Sequence, residues 1–374
     1  MNIPLSKPFF DKKELEEVKK TFISGWVAGQ GPKSKELESQ FAKYVHAKYA
    51  ICVNNCTAAL HLALLALDIK KGDEVIVPDF TFPATAHAVL YVGAKPVFID
   101  INPNTHNIDV HLIEKKITSK TKAIIPVHLF GQCADMGTIL KIAKKHKLKV
   151  IEDAACGIGS KYKGKMAGSM GHINCFSFHG RKNITSGEGG IITTNDKKLA
   201  DKIRSLSCFG MVSAFARSKK FHIPKFTLLG YNYKLSDIAA AIALAQLKKS
   251  EQFIKKRNKL AKYYNKKLKN IKSIHLPFVE KFNRHAYQAY AIVLDKKINR
   301  KNLLLELKKQ GIQTQIGTYA LHRQPVYNHM TNCDKKDFPH SEFVFEQSLA
   351  LPMYSELSFK KIDYITSILR RILK

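Results

Sequence analysis

Seven short apolar runs between residues 49 and 194 constrain this chain more than any other feature. They are Tyr49–Val53, Glu74–Val77, Pro96–Asp100, Ala123–Val127, Lys149–Glu152, Asn174–Phe178 and Gly190–Thr194. Helical patterns at Ala58–Leu67, Ala84–Val92 and Met136–His146 lie between several of them. Runs this short and this apolar keep no face for water, so they read as strands covered on both sides. Strands separated by helices join through crossovers, which predicts an α/β fold: a large, mostly parallel sheet sandwiched by helices. Ligands of such sheets bind beyond the carboxyl ends of the strands. The residues just after each run are the place to look for chemistry.

Upstream, Asp11 and Glu14 have capping-box spacing and open a helix whose apolar face carries Leu15, Val18 and Phe22. A Gly- and Pro-rich turn, Gly25–Pro32, leads into a second helix with Leu37, Phe41 and Tyr44. Downstream, the pattern predicts one long helical stretch from Leu235 to about Leu268. A second unit follows: a strand at Tyr287–Leu294, a helix at Arg300–Lys309, a strand near Ile312–Ile316 and a closing helix from Ser358. The chain thus divides into residues 1–250, a large ligand-binding domain with a helical N-terminal segment, and 251–374, a small C-terminal α/β domain.

Composition removes several function classes. The 62 basic and 30 acidic residues give a net charge of +32, but the basic ones are spread in pairs such as Lys12-Lys13, Lys70-Lys71 and Lys255-Lys256. That spread describes solvated faces rather than a nucleic-acid stripe, while the positive field favours an anionic substrate. The longest apolar stretches, such as Ala58–Ile69, stop short of the ~20 residues of a membrane span. No export signal marks the first residues, and seven scattered cysteines fit a reducing compartment. The expectation is a cytoplasmic protein with no nucleic-acid or membrane partner. His172, Cys175 and His179 are spaced loosely like metal ligands, but strand alternation around Cys175 separates them, so no metal site is expected.

Three strand ends carry chemistry. In N-N-C-T-A-A (Asn54–Ala59) a strand stops and a helix starts at Thr57. Free amides and the helix dipole there favour an anion such as phosphate, although capping by Asn55 or Thr57 alone also accounts for the pattern. In V-I-E-D-A-A (Val150–Ala155) an acidic pair closes a strand, and alternation turns Glu152 and Asp153 to opposite faces. One of them needs a cationic partner in the cleft, such as a protonated pyridine nitrogen. In F-S-F-H-G-R-K-N-I-T-S-G-E-G-G (Phe176–Gly190) Lys182 follows a strand end. A lysine in a partly desolvated pocket can attack a carbonyl to form a Schiff base.

A phosphate cup, a strand-end Asp and a strand-end Lys in this order resemble the DegT/DnrJ/StrS family of nucleotide-sugar aminotransferases. The resemblance runs nearly end to end, through S-G-W-V-A-G-Q-G-P, G-D-E-V-I-V-P-D-F-T-F-P-A-T-A, I-E-D-A-A, the segment around Lys182, G-Y-N-Y-K-L-S-D and G-T-Y-A-L-H-R-Q-P. It implies a fold-type I (aspartate-aminotransferase-like) enzyme that uses pyridoxal 5'-phosphate, with Lys182 as the Schiff-base lysine and Asp153 as partner of the pyridine nitrogen. It implies that Thr57, Ala58 and Ser177 hold the phosphate and that Phe82 stacks on the ring. Asn232 matches a residue that reaches the phosphate from the neighbouring subunit, which implies a homodimer with shared sites. Trp26, Gly31, His179, Tyr319 and His322 match segments that line the substrate pocket.

The implied reaction carries an amino group from glutamate to a keto-sugar nucleotide for surface polysaccharide synthesis. I-T-S-G-E-G-G resembles relatives acting at sugar C4, as in a 4-keto-6-deoxy sugar, more than the G-D-G-G type of C3 relatives, which is the alternative. Lys182 stands against the dehydratase branch, which has histidine there. The complete Lys, Asp and cup set stands against a regulatory or nucleic-acid-binding scaffold. Two residues depart from the family pattern: Cys56 replaces the Gly of the cup, and Cys156 stands where many relatives have Gln.

Overall fold

The computed structural model of the chain describes residues 2–211, 223–327 and 333–373. All seven apolar runs become strands of one sheet: β1 (Tyr49–Val53), β2 (Glu74–Pro78), β3 (Lys95–Ile99), β4 (Thr121–Ile124), β5 (Lys149–Asp153), β6 (Ile173–Ser177) and β7 (Gly190–Thr194). Their order is β1-β7-β6-β5-β4-β2-β3. Only β7 runs against its neighbours; the remaining strands share one direction.

Alternation along each strand sorts the apolar residues between two cores. After the helices α1 (Lys12–Ser24) and α2 (Pro32–Val45), the chain forms α3 (Cys56–Ala66) and α4 (Ala84–Tyr91), and Ile51, Val75, Ile151 and Ile192 pack under these two and a helix at Lys197–Ser207. On the opposite face, Cys52, Phe176 and Ile191 pack under the helices Pro32–Val45 and Asp237–Leu247. Ile76, Ile124 and Val150 lie under the helix Met136–Lys145 on that face. The sheet is therefore covered on both sides, as its uniform hydrophobicity requires.

Four local expectations change. The first helix, Lys12–Ser24, has the capping box of Asp11 and Glu14, but it turns Glu14 and Thr21 inward. Leu15 is 73% and Phe22 59% exposed. The inward face is chosen by polar partners: Glu14 accepts from Gln246 Nε2 at 2.7 Å and pairs with the buried Lys249. The stretch from Leu235 to Leu268 is two helices, Asp237–Leu247 and Ser250–Leu268, broken where Lys249 turns toward Asp11 and Glu14.

In the C-terminal part, a three-stranded sheet (Ile274–His275, Tyr290–Leu294, Ser348–Leu351) packs with the helices Ser250–Leu268, Arg300–Lys309 and Phe359–Ile372 around a separate core. Its middle strand starts at Tyr290, not Tyr287, because Tyr287 has φ +47, a left-handed conformation that no strand continues. The run near Ile312 makes only single bridges, Ile312 to Ile3 and Gln315 to Ala350. Ile3, from the opposite end of the chain, completes this core.

Candidate active site

With β7 alone reversed, the carboxyl ends of β1, β2, β4, β5 and β6 open on one edge of the sheet, where β7 begins. Three loops converge there. After β1, Asn55 caps α3 and its Oδ1 accepts the Ala58 amide at 2.8 Å, so the helix starts at Cys56, one residue earlier than expected. The Ala58 amide, expected to face phosphate, is thus engaged by the cap; the first-turn amides before it have no partner within the helix. Gly190 opens β7 in register with both Val53 and Ser177. A Cβ on Gly190 would stand 2.7 Å from the Asn55 carbonyl carbon and 2.9 Å from the Cys56 nitrogen. Glycine at this point lets β6 and β7 come up against the helix N-terminus, which brings the buried Ser177 beside it. Ser177 Oγ accepts the His179 amide at 3.2 Å.

The acidic pair behaves as alternation requires. Glu152 turns away from the edge, where it accepts from His128 Nε2 at 2.8 Å, the Gly168 amide at 2.8 Å and the Met170 amide at 2.7 Å. Burial would raise its pKa, but His128 and the backbone amides outweigh burial and hold it below the usual carboxylate range. Asp153 faces the edge. Thr85 Oγ1 donates to its Oδ2 at 2.8 Å and the Ala155 amide to its Oδ1 at 3.1 Å. Burial raises the Asp153 pKa, against the pull of Thr85, the Ala155 amide and Lys182.

After β6 the chain makes a tight turn: the Lys182 amide donates to the His179 carbonyl at 2.9 Å. The turn sends the half-buried Lys182 back into the edge, with Nζ 3.4 Å from Cys156 Sγ. Burial lowers the Lys182 pKa, but the sulfurs of Cys156 and Cys56 and the Asp153 carboxylate outweigh it and hold the amine above the ordinary lysine value. Lys182, Asp153, Cys156 and Cys56 therefore share one electrostatic environment at the N-terminus of α3.

The other expected residues spread around this centre. The Phe82 ring is 62% exposed and meets the edge of Tyr319 at 6.1 Å between centroids. Tyr319 pairs with Thr81, four residues before Thr85, and Thr81 and Thr85 share a hydroxyl contact at 3.2 Å. Asn232 is exposed on the surface and its Oδ1 accepts from Lys234 Nζ. The next residue, Tyr233, accepts the Asn54 amide at 2.8 Å and ties this segment to the end of β1. Gly31 donates to Asp237 Oδ1 at 3.1 Å and is closed in by the Trp26 indole and the Asp237 carboxylate, with no room for a Cβ. The exposed His179 ring lies 3.8 Å from Glu188.

His322, in a segment expected to line the pocket, turns its ring into the fold. Its side chain is 3% exposed, Nδ1 lies 2.7 Å from Asp79 Oδ2, and Nε2 lies 3.1 Å from Glu342. The ring also stacks on Phe338 at 4.9 Å. Both ring nitrogens are used inside the fold. Sequence reasoning missed two contacts at the centre: Thr85 on Asp153, and Cys156 on Lys182. Thr85 carried no local signal, since a threonine in the first turn of an apolar helix reads as packing; Cys156 did stand out, as a departure from the family pattern.

The model of the DegT/DnrJ/EryC1/StrS aminotransferase family matches residues 8–370. The chain is 39% identical to the spore coat polysaccharide biosynthesis protein SpsC of Bacillus subtilis, over 100% of this chain and 97% of that one. It is 38% identical to the GDP-perosamine synthase of Caulobacter vibrioides, over 99% and 98% of the two chains. Among solved structures it is similar to the PLP form of Spr1654 from Streptococcus pneumoniae, with a TM-score of 0.93, 29% identity and coverage of 100% of this chain and 99% of that chain.

Proposed function

The chain belongs to the DegT/DnrJ/EryC1/StrS aminotransferase family, and from that premise we propose that it binds pyridoxal 5'-phosphate and moves an amino group from L-glutamate to a nucleotide-linked keto-sugar. One observation carries this reading: a half-buried lysine amine and a buried aspartate share the sheet edge at a helix N-terminus. The donor set fits the cofactor. First-turn amides and the hydroxyls of Thr57 and Ser177 suit its phosphate, and a buried carboxylate suits its ring nitrogen. The exposed face of Phe82 is free to cover a planar ring.

When bound, pyridoxal phosphate supplies a carbonyl carbon and a ring that accepts electrons. The chain supplies the rest. The Lys182 amine would hold the cofactor and, once free, would move the proton at the substrate carbon. Asp153, held by Thr85, would keep a proton on the ring nitrogen. The relatives named as perosamine and spore coat polysaccharide proteins support a sugar acceptor, and the S-G-E-G-G segment supports C4 of a 4-keto-6-deoxy sugar.

A homodimer with shared sites completes the reading. Asn232 is exposed and its side chain is bonded to Lys234 of its own segment, and the exposed Phe209, Phe226 and Leu229 of the same region offer apolar surface that a second copy would cover. The seven free cysteines suit the cytoplasm. The same reading divides the chain near residue 250, supported by the separate C-terminal core, which Ile3 joins from the N-terminus.

The test is direct. The purified enzyme, loaded with pyridoxal phosphate and treated with borohydride, should carry the reduced cofactor on Lys182 in a peptide map. It should then aminate one of a panel of UDP-, GDP- or dTDP-linked 4-keto-6-deoxy sugars with glutamate. Label on another lysine, or no accepted sugar, defeats the reading.

A further inference from the structure

The tight turn that sends Lys182 inward leaves Arg181 on its crest. Arg181 is exposed, and its Nη1 donates to Gln315 Oε1 at 2.9 Å. Its carbonyl accepts from Gln288 Nε2 at 3.0 Å. Both glutamines belong to the C-terminal part of the chain, so Arg181 stands where the sheet edge and that part meet, one residue from the reacting amine.

Its partner is unusual for this molecule. Arg204, Arg284 and Arg323 pair with Glu38, Glu251 and Glu342. Arg257 and Arg300 are spent on backbone carbonyls. Among the described residues, no carboxylate lies within ion-pair distance of Arg181; a neutral amide holds it in place and leaves its charge uncompensated. A guanidinium presents a planar fork of donors that matches phosphate oxygens, and a neutral acceptor orients the fork without neutralising it.

We propose that Arg181 binds the diphosphate of the nucleotide-sugar substrate at the mouth of the Lys182 pocket. The assignment rests on the aminotransferase reading above. Arg181 and Lys182 are neighbours, with Cα atoms about 3.8 Å apart; Lys182 turns inward and Arg181 stays exposed, so the guanidinium is within a substrate's length of the amine. The donor's α-carboxylate is attached directly to the carbon that reacts and stays inside with Lys182. The part of a substrate left outside is the nucleoside diphosphate, which is where Arg181 lies. The rival role is mechanical: Arg181 only latches the turn to the C-terminal part through Gln315.

Titration of the cofactor-loaded enzyme with GDP, UDP and dTDP separates the two. Wild type should bind at least one of them, and Arg181→Ala should weaken that binding by roughly tenfold or more, with Arg181→Lys between. Gln315→Ala, which loosens the fork but leaves the guanidinium, should weaken binding far less than Arg181→Ala does. In turnover, Arg181→Ala should raise KM for the nucleotide sugar and leave KM for glutamate and the borohydride label on Lys182 unchanged. The inference is overturned if Arg181→Ala binds the nucleotides as well as wild type does, if Gln315→Ala reproduces its loss, if only the glutamate KM moves, or if wild type binds none of the three. A normal nucleotide-sugar KM in Arg181→Ala sinks this assignment and leaves the aminotransferase reading standing; failure of the label at Lys182 sinks that reading instead.

Discussion

Two aspartates close parallel strands on the same edge of the sheet, and their partners differ. Asp79 follows β2 and Asp153 ends β5; both are buried. Asp79 spends both oxygens on one residue: Oδ1 takes the His322 amide at 2.8 Å and Oδ2 lies 2.7 Å from His322 Nδ1. Glu342 closes the other side of that ring. Asp153 is held by a hydroxyl and an amide, with the Lys182 amine near enough to pull its pKa down against burial. Under the proposed function, what stands opposite decides whether a strand-end carboxylate is structural or chemical. A histidine enclosed by a second carboxylate locks the edge, whereas the lysine would leave a place for a ligand.

The sharpest way to break this contrast is to disable both aspartates alike. Asp153→Asn and Lys182→Ala should each lower turnover about 10²-fold or more, since each removes a group to which the proposed function gives a part in proton transfer. Asp79→Asn should keep turnover within a few-fold and cost about 1–3 kcal/mol of stability, the range for a buried hydrogen bond lost to a charged partner. Steady-state kinetics beside urea unfolding measure the pair. Equal losses of turnover would erase the distinction.

A smaller signal tests whether the chemical end needs a second chain. Asn232→Ala and Lys182→Ala chains, if each is inactive alone, should regain up to roughly a quarter of the wild-type sites when mixed, because hybrid dimers hold one intact site. No recovery, with mixed dimers seen by mass spectrometry, would show that both residues serve one chain.

Thr85→Val should come next. It keeps the shape and removes the hydroxyl that donates to Asp153 at 2.8 Å, so burial should raise the Asp153 pKa further. Cofactor affinity, followed by its visible absorbance, should fall about tenfold, more steeply at low pH, where the carboxylate protonates first. An unchanged affinity would mean that Thr85 only packs.

The smallest effect belongs to the locked end. Burial opposes protonation of His322, but Asp79 and Glu342 outweigh it and raise its pKa. A histidine raised in the folded state contributes stability that is whole below its ordinary value of about 6.5 and is lost as pH rises through the raised value. Asp79→Asn removes the main partner, so its stability deficit should be largest in mild acid and shrink toward alkaline pH. Thermal melts between those limits give the slope, and a deficit that grows with pH would reverse the assignment.

Much of this was legible in one dimension. Seven strands were readable because residues that avoid water on both faces leave a continuous apolar run, and the meeting of Lys182 and Asp153 at one edge was readable because parallel strands put their carboxyl ends together. The partners of His322 were not legible, for an equally physical reason. A histidine in a loop motif gives no sign of whether its ring faces a pocket or an aspartate 243 residues away.

The sequence by itself determined the seven strands of the large sheet and which residue types stand at their ends, since hydrophobic period and chain order are local properties. The tertiary structure alone decided that β7 runs backwards and needs Gly190 to pass the helix N-terminus. It also decided that Glu14 rather than Leu15 turns inward, and that Thr85 reaches Asp153 across 68 residues. Each of these depends on which polar group meets which, and long-range packing settles that after the local pattern has already chosen what to bury.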